Sequence, residues 1–181
     1  MEATRILLLP GLGGSGPEHW QTLWEREYGY TRVLQDDWDR PALDAWVARL
    51  DEAVRGAPGP VALVAHSLAC ALVAHWARGA ATGRVIGALL VAPADVDSEQ
   101  RTPPEVRSFS PMPLDPLPFA TIVAASRTDP YVDVARARHF ARAWGAAFVD
   151  AGDAGHINAE SGLGLWPEGH LLVSGLLGTD R

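Results

Sequence analysis

A serine stands where an apolar, strand-like run ends and a helical pattern begins. The stretch LVAHSLACALVAHWA, residues 63–77, changes from β-forming residues to a helical pattern at Ser67. A serine at such a junction can serve as a nucleophile in acyl transfer, because the sharp turn of the pattern G-x-S-x-G exposes its hydroxyl. Both glycine positions hold alanine here, Ala65 and Ala69. The alternative interpretation is that Ser67 is an ordinary helix N-cap.

A serine nucleophile needs a base within hydrogen-bond reach and a carboxylate that orients the base. Asp129 follows the fifth strand-like run and His156 follows the sixth, so both come after Ser67 in the order that this chemistry uses on a parallel sheet. Because the carboxyl ends of parallel strands share one edge, the three side chains are predicted to meet there. Asp95 follows a strand one too early, and Asp153 lies in the same loop as the histidine, so we expect Asp129 to be the orienting acid.

A glycine-rich loop allows two interpretations. The segment GLGGSG, residues 11–16, matches G-x-G-x-x-G, and two aspartates at 36–37 stand where a dinucleotide-binding fold keeps its ribose acid. Pro17 argues against that interpretation, because the helix then begins after the loop, whereas a dinucleotide-binding helix begins nearer the second glycine and directs its N–H groups at the pyrophosphate. The other interpretation is an oxyanion loop. The backbone N–H groups of Leu12 and Leu68 would then hold the negative charge on the attacked carbonyl oxygen.

The elements that must position these residues alternate along the chain. Six short apolar runs read as strands covered on both faces, at residues 5–9, 31–35, 61–65, 85–92, 119–125 and 146–150. Helical patterns lie between most of them, after Pro17 and at 41–56, 68–79, 132–144 and 167–177. This alternation predicts one doubly wound α/β domain over residues 1–181.

The segment 94–118 breaks this alternation between the fourth and fifth strands. It holds six of the 14 prolines, so it can be neither a long helix nor a central strand. We expect a long surface excursion.

Composition excludes several classes of function. All 15 basic residues are arginine, they are scattered, and the formal charge is −7, which favours neither nucleic acid nor an anionic membrane as a partner. The single Cys70 excludes an intramolecular disulfide, and no pattern such as H-E-x-x-H indicates a metal. The N-terminus lacks a signal-peptide pattern, and no apolar run approaches the roughly 20 residues of a membrane span. We therefore expect a soluble, cytoplasmic protein that acts on a small molecule.

Five segments carry a resemblance that covers nearly the whole chain. They are PGLGGSGPEHWQTLWE, DDWDRP, LVAHSLACALVAHW, ASRTDPYVD and AGHINAESGLGLWPEG. Together they resemble the small serine hydrolases that include the retinoblastoma-binding serine hydrolase and the bacterial YdeN-like proteins. The resemblance implies a compact α/β-hydrolase fold without a large cap domain. By motif, it implies Ser67 as nucleophile, His156 as general base and acid, and Asp129 as orienting carboxylate. Ala69 departs from the glycine that usually ends the elbow.

The predicted function is hydrolysis of a small or medium acyl ester, thioester or amide through an acyl-serine intermediate, without a cofactor. His19, Trp38 and Trp166 are candidates for lining a shallow pocket. Two alternatives stay open. One is an α/β-hydrolase-fold binding protein with weak catalysis, and the other is an oxidoreductase that binds a dinucleotide at the GLGGSG loop. Whether the chain has a protein partner is left open.

Overall fold

The strands form one entirely parallel sheet in the computed structural model, which describes residues 3–79 and 81–178. The strands are β1 (Arg5–Leu9), β2 (Thr31–Arg32), β3 (Val61–His66), β4 (Val85–Val91), β5 (Ala120–Ala125) and β6 (Ala147–Asp150). Their order across the sheet is β2-β1-β3-β4-β5-β6, with β3 beside the centre. The prediction of six strands is confirmed. The ends of the predicted domain, residues 1–2 and 179–181, lie outside the described residues.

Among the described residues, five α-helices connect or follow these strands. They are α1 (Trp20–Tyr28), α2 (Leu43–Gly56), α3 (Leu68–Ala77), α4 (Val134–Trp144) and α5 (Pro167–Leu177). Three short 3-10 helices cover Thr82–Arg84, Pro104–Phe109 and Ala159–Ser161. Within the described part of the chain, no helix combines the length and the apolar character needed to cross a membrane.

The sheet separates two apolar clusters because side chains alternate along each strand. In β1, Leu7 and Leu9 face the cluster formed with α2, α3 and α4, whereas Ile6 and Leu8 face the cluster formed with α1 and α5. β3 repeats the alternation, with all six of its residues buried. Both faces are therefore covered, which explains why the strands read as continuous apolar runs in the sequence.

The second strand is shorter than predicted. Only Thr31 and Arg32 pair with β1, although the sequence suggested a strand over 31–35. β2 lies at the sheet edge with a single neighbour, and Leu34 beyond it is 67% exposed. Val33 still donates its N–H to the carbonyl oxygen of Leu8 and is buried, but the ladder ends there because β2 has no second neighbour and Leu34 has no apolar cover.

The segment 94–118 is packed rather than a plain surface excursion, and this corrects the expectation from its prolines. Val96, Val106 and Phe109 are buried in the cluster around α2 and α3. Arg107 makes this burial possible, because its guanidinium donates hydrogen bonds to three carbonyl oxygens of the same segment. An irregular chain can be buried when its polar backbone groups are satisfied in this way.

Gly169 in α5 generates a prediction about stability. A Cβ at this position would lie 2.1 Å from the ring of Trp166, which is itself buried. We expect Gly169→Ala to lower the free energy of unfolding by about 1–3 kcal/mol, because the buried indole must move to make room. Gly56→Ala in α2 is the matched control, since a Cβ there meets nothing within 4 Å and alanine is the better helix former. Urea unfolding would measure both variants, and equal midpoints would contradict the packing described for α5.

Candidate active site

Ser67 lies in a sharp turn between β3 and α3. Its backbone has φ 57° and ψ −120°, and its N–H donates to the carbonyl oxygen of Val91 in β4. A positive φ on a residue other than glycine costs on the order of 1–3 kcal/mol and persists only where the surroundings enforce it. The Ser67 side chain makes no capping hydrogen bond to α3, so it is not an N-cap in the usual sense. Its hydroxyl remains available for another partner.

The glycine loop presses directly on this turn. A Cβ on Gly11 would lie 2.9 Å from the carbonyl oxygen of His66, 3.1 Å from the Cβ of Ser67 and 3.2 Å from the backbone nitrogen of Leu68. Gly11 is therefore the glycine at which the loop backbone approaches the turn at Ser67 closely. Ala65 and Ala69, which replace the two glycines of the elbow motif, are fully buried in the core with the turn formed between them.

The three residues predicted to meet do lie in one hydrogen-bonded chain. His156 Nε2 is 2.8 Å from Ser67 Oγ, and His156 Nδ1 is 2.9 and 3.0 Å from the two carboxylate oxygens of Asp129. The Asp129 side chain is fully buried and also accepts the backbone N–H of Tyr131 at 2.8 Å. Such a chain can move a proton from a hydroxyl to an imidazole and hold the imidazolium that results.

The other two aspartates lie elsewhere. Asp95 forms an ion pair with Arg136 at 3.3 Å and accepts the backbone N–H of Asp97. Asp153 is exposed on the loop before His156. Neither carboxylate hydrogen-bonds to the imidazole of His156.

Two backbone N–H groups beside Ser67 are available to a ligand. Leu68 is the first residue of α3, so its N–H has no acceptor within the helix and lies at the positive end of the helix dipole. The N–H of Leu12 has no acceptor in the described part of the chain, whereas those of Gly13 and Gly14 are used inside the loop and by Trp38. Both leucines line the same cavity as Ser67.

A second contact fixes the glycine loop from the sheet edge. Arg32 in β2 is largely buried, and its guanidinium donates to the carbonyl oxygens of Gly14 and Ser15. Its Nε forms an ion pair with Glu25 at 2.8 Å. Although β2 is short, it supplies the Arg32 guanidinium that holds the glycine loop beside the cavity.

The cavity above Ser67 has a volume of about 320 Å³ and crosses the carboxyl edge of the sheet. Part of the lining comes from the segment 94–118, namely Ala94, Thr102, Pro103 and Val106. The rest of the lining includes Ser15, Gly16, His19 and Asn158.

Trp38 and Trp166 do not line this cavity, contrary to the expectation that they would wall the site. Trp38 lies against Gly14 and packs edge to face with Trp46. Trp166 packs against the rings of Trp20 and Trp24 beneath α5. Both indoles are used in packing because the apolar clusters on the two faces of the sheet need their area. Of the three proposed pocket residues, only His19 lies in the lining.

Two further histidines near Ser67 are kept neutral by burial. Burial lowers the pKa of His19 to about 3, with repulsion from His156 and Arg32 adding to the effect. Its Nδ1 accepts the backbone N–H of Gln21 and caps α1. Burial also holds the pKa of His66 well below its ordinary value, and its Nε2 lies 2.9 Å from the carbonyl oxygen of His156. Both rings are therefore neutral hydrogen-bonding groups near neutral pH, and of the three imidazoles it is that of His156 that hydrogen-bonds to Ser67 Oγ.

Sequence reasoning missed the residues that hold the loop carrying His156. Ser126 Oγ accepts the N–H of Ala154 at 2.9 Å, and Thr128 Oγ1 accepts the N–H of Gly155 at 3.0 Å. The only signal in the sequence is the S-R-T segment directly after β5, three residues that precede Asp129. These hydroxyls join the loop of His156 to the loop of Asp129.

The dinucleotide interpretation of the glycine loop finds no support in this geometry. Gly11 packs on the turn at Ser67, and α1 begins only at Trp20, with His19 capping its first N–H groups. The candidate ribose acids are paired, Asp36 with Arg49 at 2.6 Å and Asp37 with Arg40 at 3.2 Å. Among the described residues, no group of three or more metal-ligating side chains could hold a metal ion.

Comparison with known proteins identifies the family. The profile of a family described as serine hydrolase matches residues 6–175. A YdeN-like hydrolase from Pectobacterium atrosepticum is 33% identical, with a TM-score of 0.85 over 96% of this chain and 90% of that chain. The ydeN gene product of Bacillus subtilis is 18% identical, with a TM-score of 0.77 over 97% of this chain and 100% of that chain.

A thermophilic esterase from Thermogutta terrifontis is 15% identical, with a TM-score of 0.70 over 99% of this chain and 91% of that chain. At such identity the likeness concerns the fold alone. No curated protein matches the sequence. Because the family profile spans nearly the whole chain and a relative above 30% identity is covered along its length, this chain belongs to the serine hydrolase family and has its α/β-hydrolase fold.

Proposed function

We propose that this hydrolase cleaves a small or medium acyl ester, thioester or amide through an acyl-serine intermediate, with residues 1–181 acting as a single domain. The observation that carries the proposal is the hydrogen-bonded chain from Ser67 Oγ through His156 to the buried carboxylate of Asp129. The hydroxyl of Ser67 is not used for capping, and two unused N–H groups lie beside it.

In the proposed mechanism, Ser67 Oγ attacks the carbonyl carbon while His156 Nε2 accepts the hydroxyl proton. Asp129 accepts a hydrogen bond from the Nδ1–H of His156, which selects the tautomer with a lone pair on Nε2 and stabilises the imidazolium. The N–H groups of Leu12 and Leu68 donate to the oxyanion of the tetrahedral intermediate. His156 then donates the proton to the leaving group. In the second half of the reaction, His156 accepts a proton from the water that attacks the acyl-serine and returns it to Ser67 Oγ.

The size of the cavity supports a small or medium acyl group. At about 320 Å³ it is near the lower end of the range for small-molecule sites. Val106, a buried residue of the segment 94–118, lines the cavity together with Pro103. Esterase and lipase activities named for structural neighbours below 20% identity are consistent with this choice of substrate class.

The test is hydrolysis of a series of 4-nitrophenyl esters from acetate to palmitate by the native chain and by Ser67→Ala. We expect saturable hydrolysis that Ser67→Ala reduces by about 10³-fold or more, because the nucleophile is lost. A folded protein that hydrolyses none of these activated esters would favour a binding role over catalysis.

The assignment of the orienting acid predicts that three aspartate variants separate. Asp129→Asn should lower kcat by about 10³- to 10⁴-fold, because an amide at this position favours the wrong tautomer of His156. Asp95→Asn and Asp153→Asn are the controls and should retain kcat within about threefold, since neither carboxylate contacts the imidazole. Steady-state kinetics on one activated ester would decide. A large loss at Asp95 with a mild one at Asp129 would overturn the assignment.

The position of Val106 predicts how acyl length limits activity. We expect kcat/KM to fall beyond about eight acyl carbons, a limit set by the modest cavity volume, and Val106→Ala to move the optimum to longer chains. Val173→Ala is the matched control, because Val173 is equally buried but lies in the cluster on the other face of the sheet. Chain-length profiles of the three proteins provide the measurement. Better turnover of long than of short chains by the native protein would contradict the limit.

A further inference from the structure

Two ring N–H groups hold successive carbonyls of the loop that carries His156. His66 Nε2 lies 2.9 Å from the carbonyl oxygen of His156, and Trp20 Nε1 donates to the carbonyl oxygen of Ile157 at 2.8 Å. Both contacts are buried. His66 belongs to β3 and Trp20 to α1, so two separate elements converge on two adjacent peptide units.

The backbone between these two carbonyls is in a conformation that the residue disfavours. Ile157 has φ 49° and is fully buried. A β-branched residue in the left-handed region is a genuine outlier, and such a conformation persists only where surrounding contacts enforce it. The two donors contribute to that enforcement, beside the hydrogen bond from the N–H of Ile157 itself to the carbonyl oxygen of Ala154. Without one of them, a buried carbonyl would lose its partner and the loop could relax toward an ordinary φ, taking the imidazole of His156 with it.

The donor role of His66 follows from its partner. A carbonyl oxygen accepts, so Nε2 of His66 must carry the proton, and burial keeps the ring neutral. Two other titratable rings pack on His66. The ring centroids of His19 and His156 lie 4.6 and 4.8 Å from that of His66.

Trp24 is a control for the possibility that Trp20 contributes only to stability. Trp24 lies one turn later in α1, is equally buried in the same cluster, and donates its indole N–H to the carbonyl oxygen of Leu165. Leu165 lies at the α5 end of the connection that follows β6, and the 3-10 helix Ala159–Ser161 separates it from His156. If the indole N–H groups served stability alone, removing either one should have the same consequences.

We propose that Trp20 and His66 are positioning residues for the general base. By fixing the carbonyls of residues 156 and 157, they keep His156 Nε2 at 2.8 Å from Ser67 Oγ while Nδ1 faces Asp129. The proposal rests on the proposed function for the role of His156. A displacement of about 1 Å at a reacting group can cost on the order of 100-fold in rate.

The first test compares Trp20→Phe with Trp24→Phe, since each removes one indole N–H and a similar volume from the same cluster. Both should lower the melting temperature. Trp20→Phe should also lower kcat by about 10- to 100-fold with KM within about twofold, whereas Trp24→Phe should keep kcat. Equal effects of the two substitutions on kcat would overturn the positioning role of Trp20.

The second test uses rescue at His66. His66→Leu removes the donor, and His66→Gln keeps an N–H at a similar reach from the backbone. We expect His66→Gln to retain at least about tenfold more kcat than His66→Leu, in line with the loss expected from misplacing the base. Equal losses in the two variants would overturn the positioning role of His66, and Trp20→Phe still tests the loop if His66→Leu does not fold.

A third measurement needs no substrate and so separates this proposal from the proposed function. The Nδ1 proton of His156, shared with Asp129, should give a far-downfield proton NMR signal in the native protein. We expect the signal to weaken or exchange faster in Trp20→Phe and to persist in Trp24→Phe. A native protein that shows the signal but hydrolyses nothing would refute the function alone, whereas an unchanged signal in Trp20→Phe would refute the positioning role.

Discussion

The positive φ of Ser67 is the constraint on which the site depends. This turn projects the hydroxyl out of the sheet edge and starts α3 at the next residue. It leaves no room for a side chain on Gly11, whose α-carbon faces the peptide on either side of the serine. The same close approach brings the glycine loop within reach of the proposed oxyanion. One contact between two backbones therefore positions both the proposed nucleophile and the proposed oxyanion donors.

Burial then determines which of the imidazoles near Ser67 are kept neutral. Three imidazoles stand in a row from His19 through His66 to His156, with ring centroids 4.6 and 4.8 Å apart. Two of them are depressed in pKa by desolvation and are used as neutral hydrogen-bonding groups. The third faces a buried carboxylate that can stabilise its protonated form. The three rings lie close together, so distance alone does not distinguish them. They differ in burial and in the group to which each one hydrogen-bonds.

Much of this arrangement could be predicted from local patterns. Apolar runs located the strands, and the rule that parallel strands end at one edge placed Asp129 and His156 near Ser67. The segment 94–118 was misjudged because its prolines exclude regular structure but say nothing of burial, which Arg107 makes possible through three carbonyls. Trp38 and Trp166 were misplaced because an aromatic ring in a loop can serve a core as well as a pocket. The contact from Trp20 to Ile157 spans 137 positions and leaves no periodic signal in the sequence.

The most direct test of the central claim is the intact mass of the protein after treatment with diisopropyl fluorophosphate. This reagent phosphorylates a serine only when a neighbouring base makes its oxygen nucleophilic. We predict one diisopropylphosphoryl group per chain, located on Ser67 by peptide mapping and absent from Ser67→Ala. An unmodified mass for the folded protein, or a modification that persists in Ser67→Ala, would contradict the claim that Ser67 is an activated nucleophile.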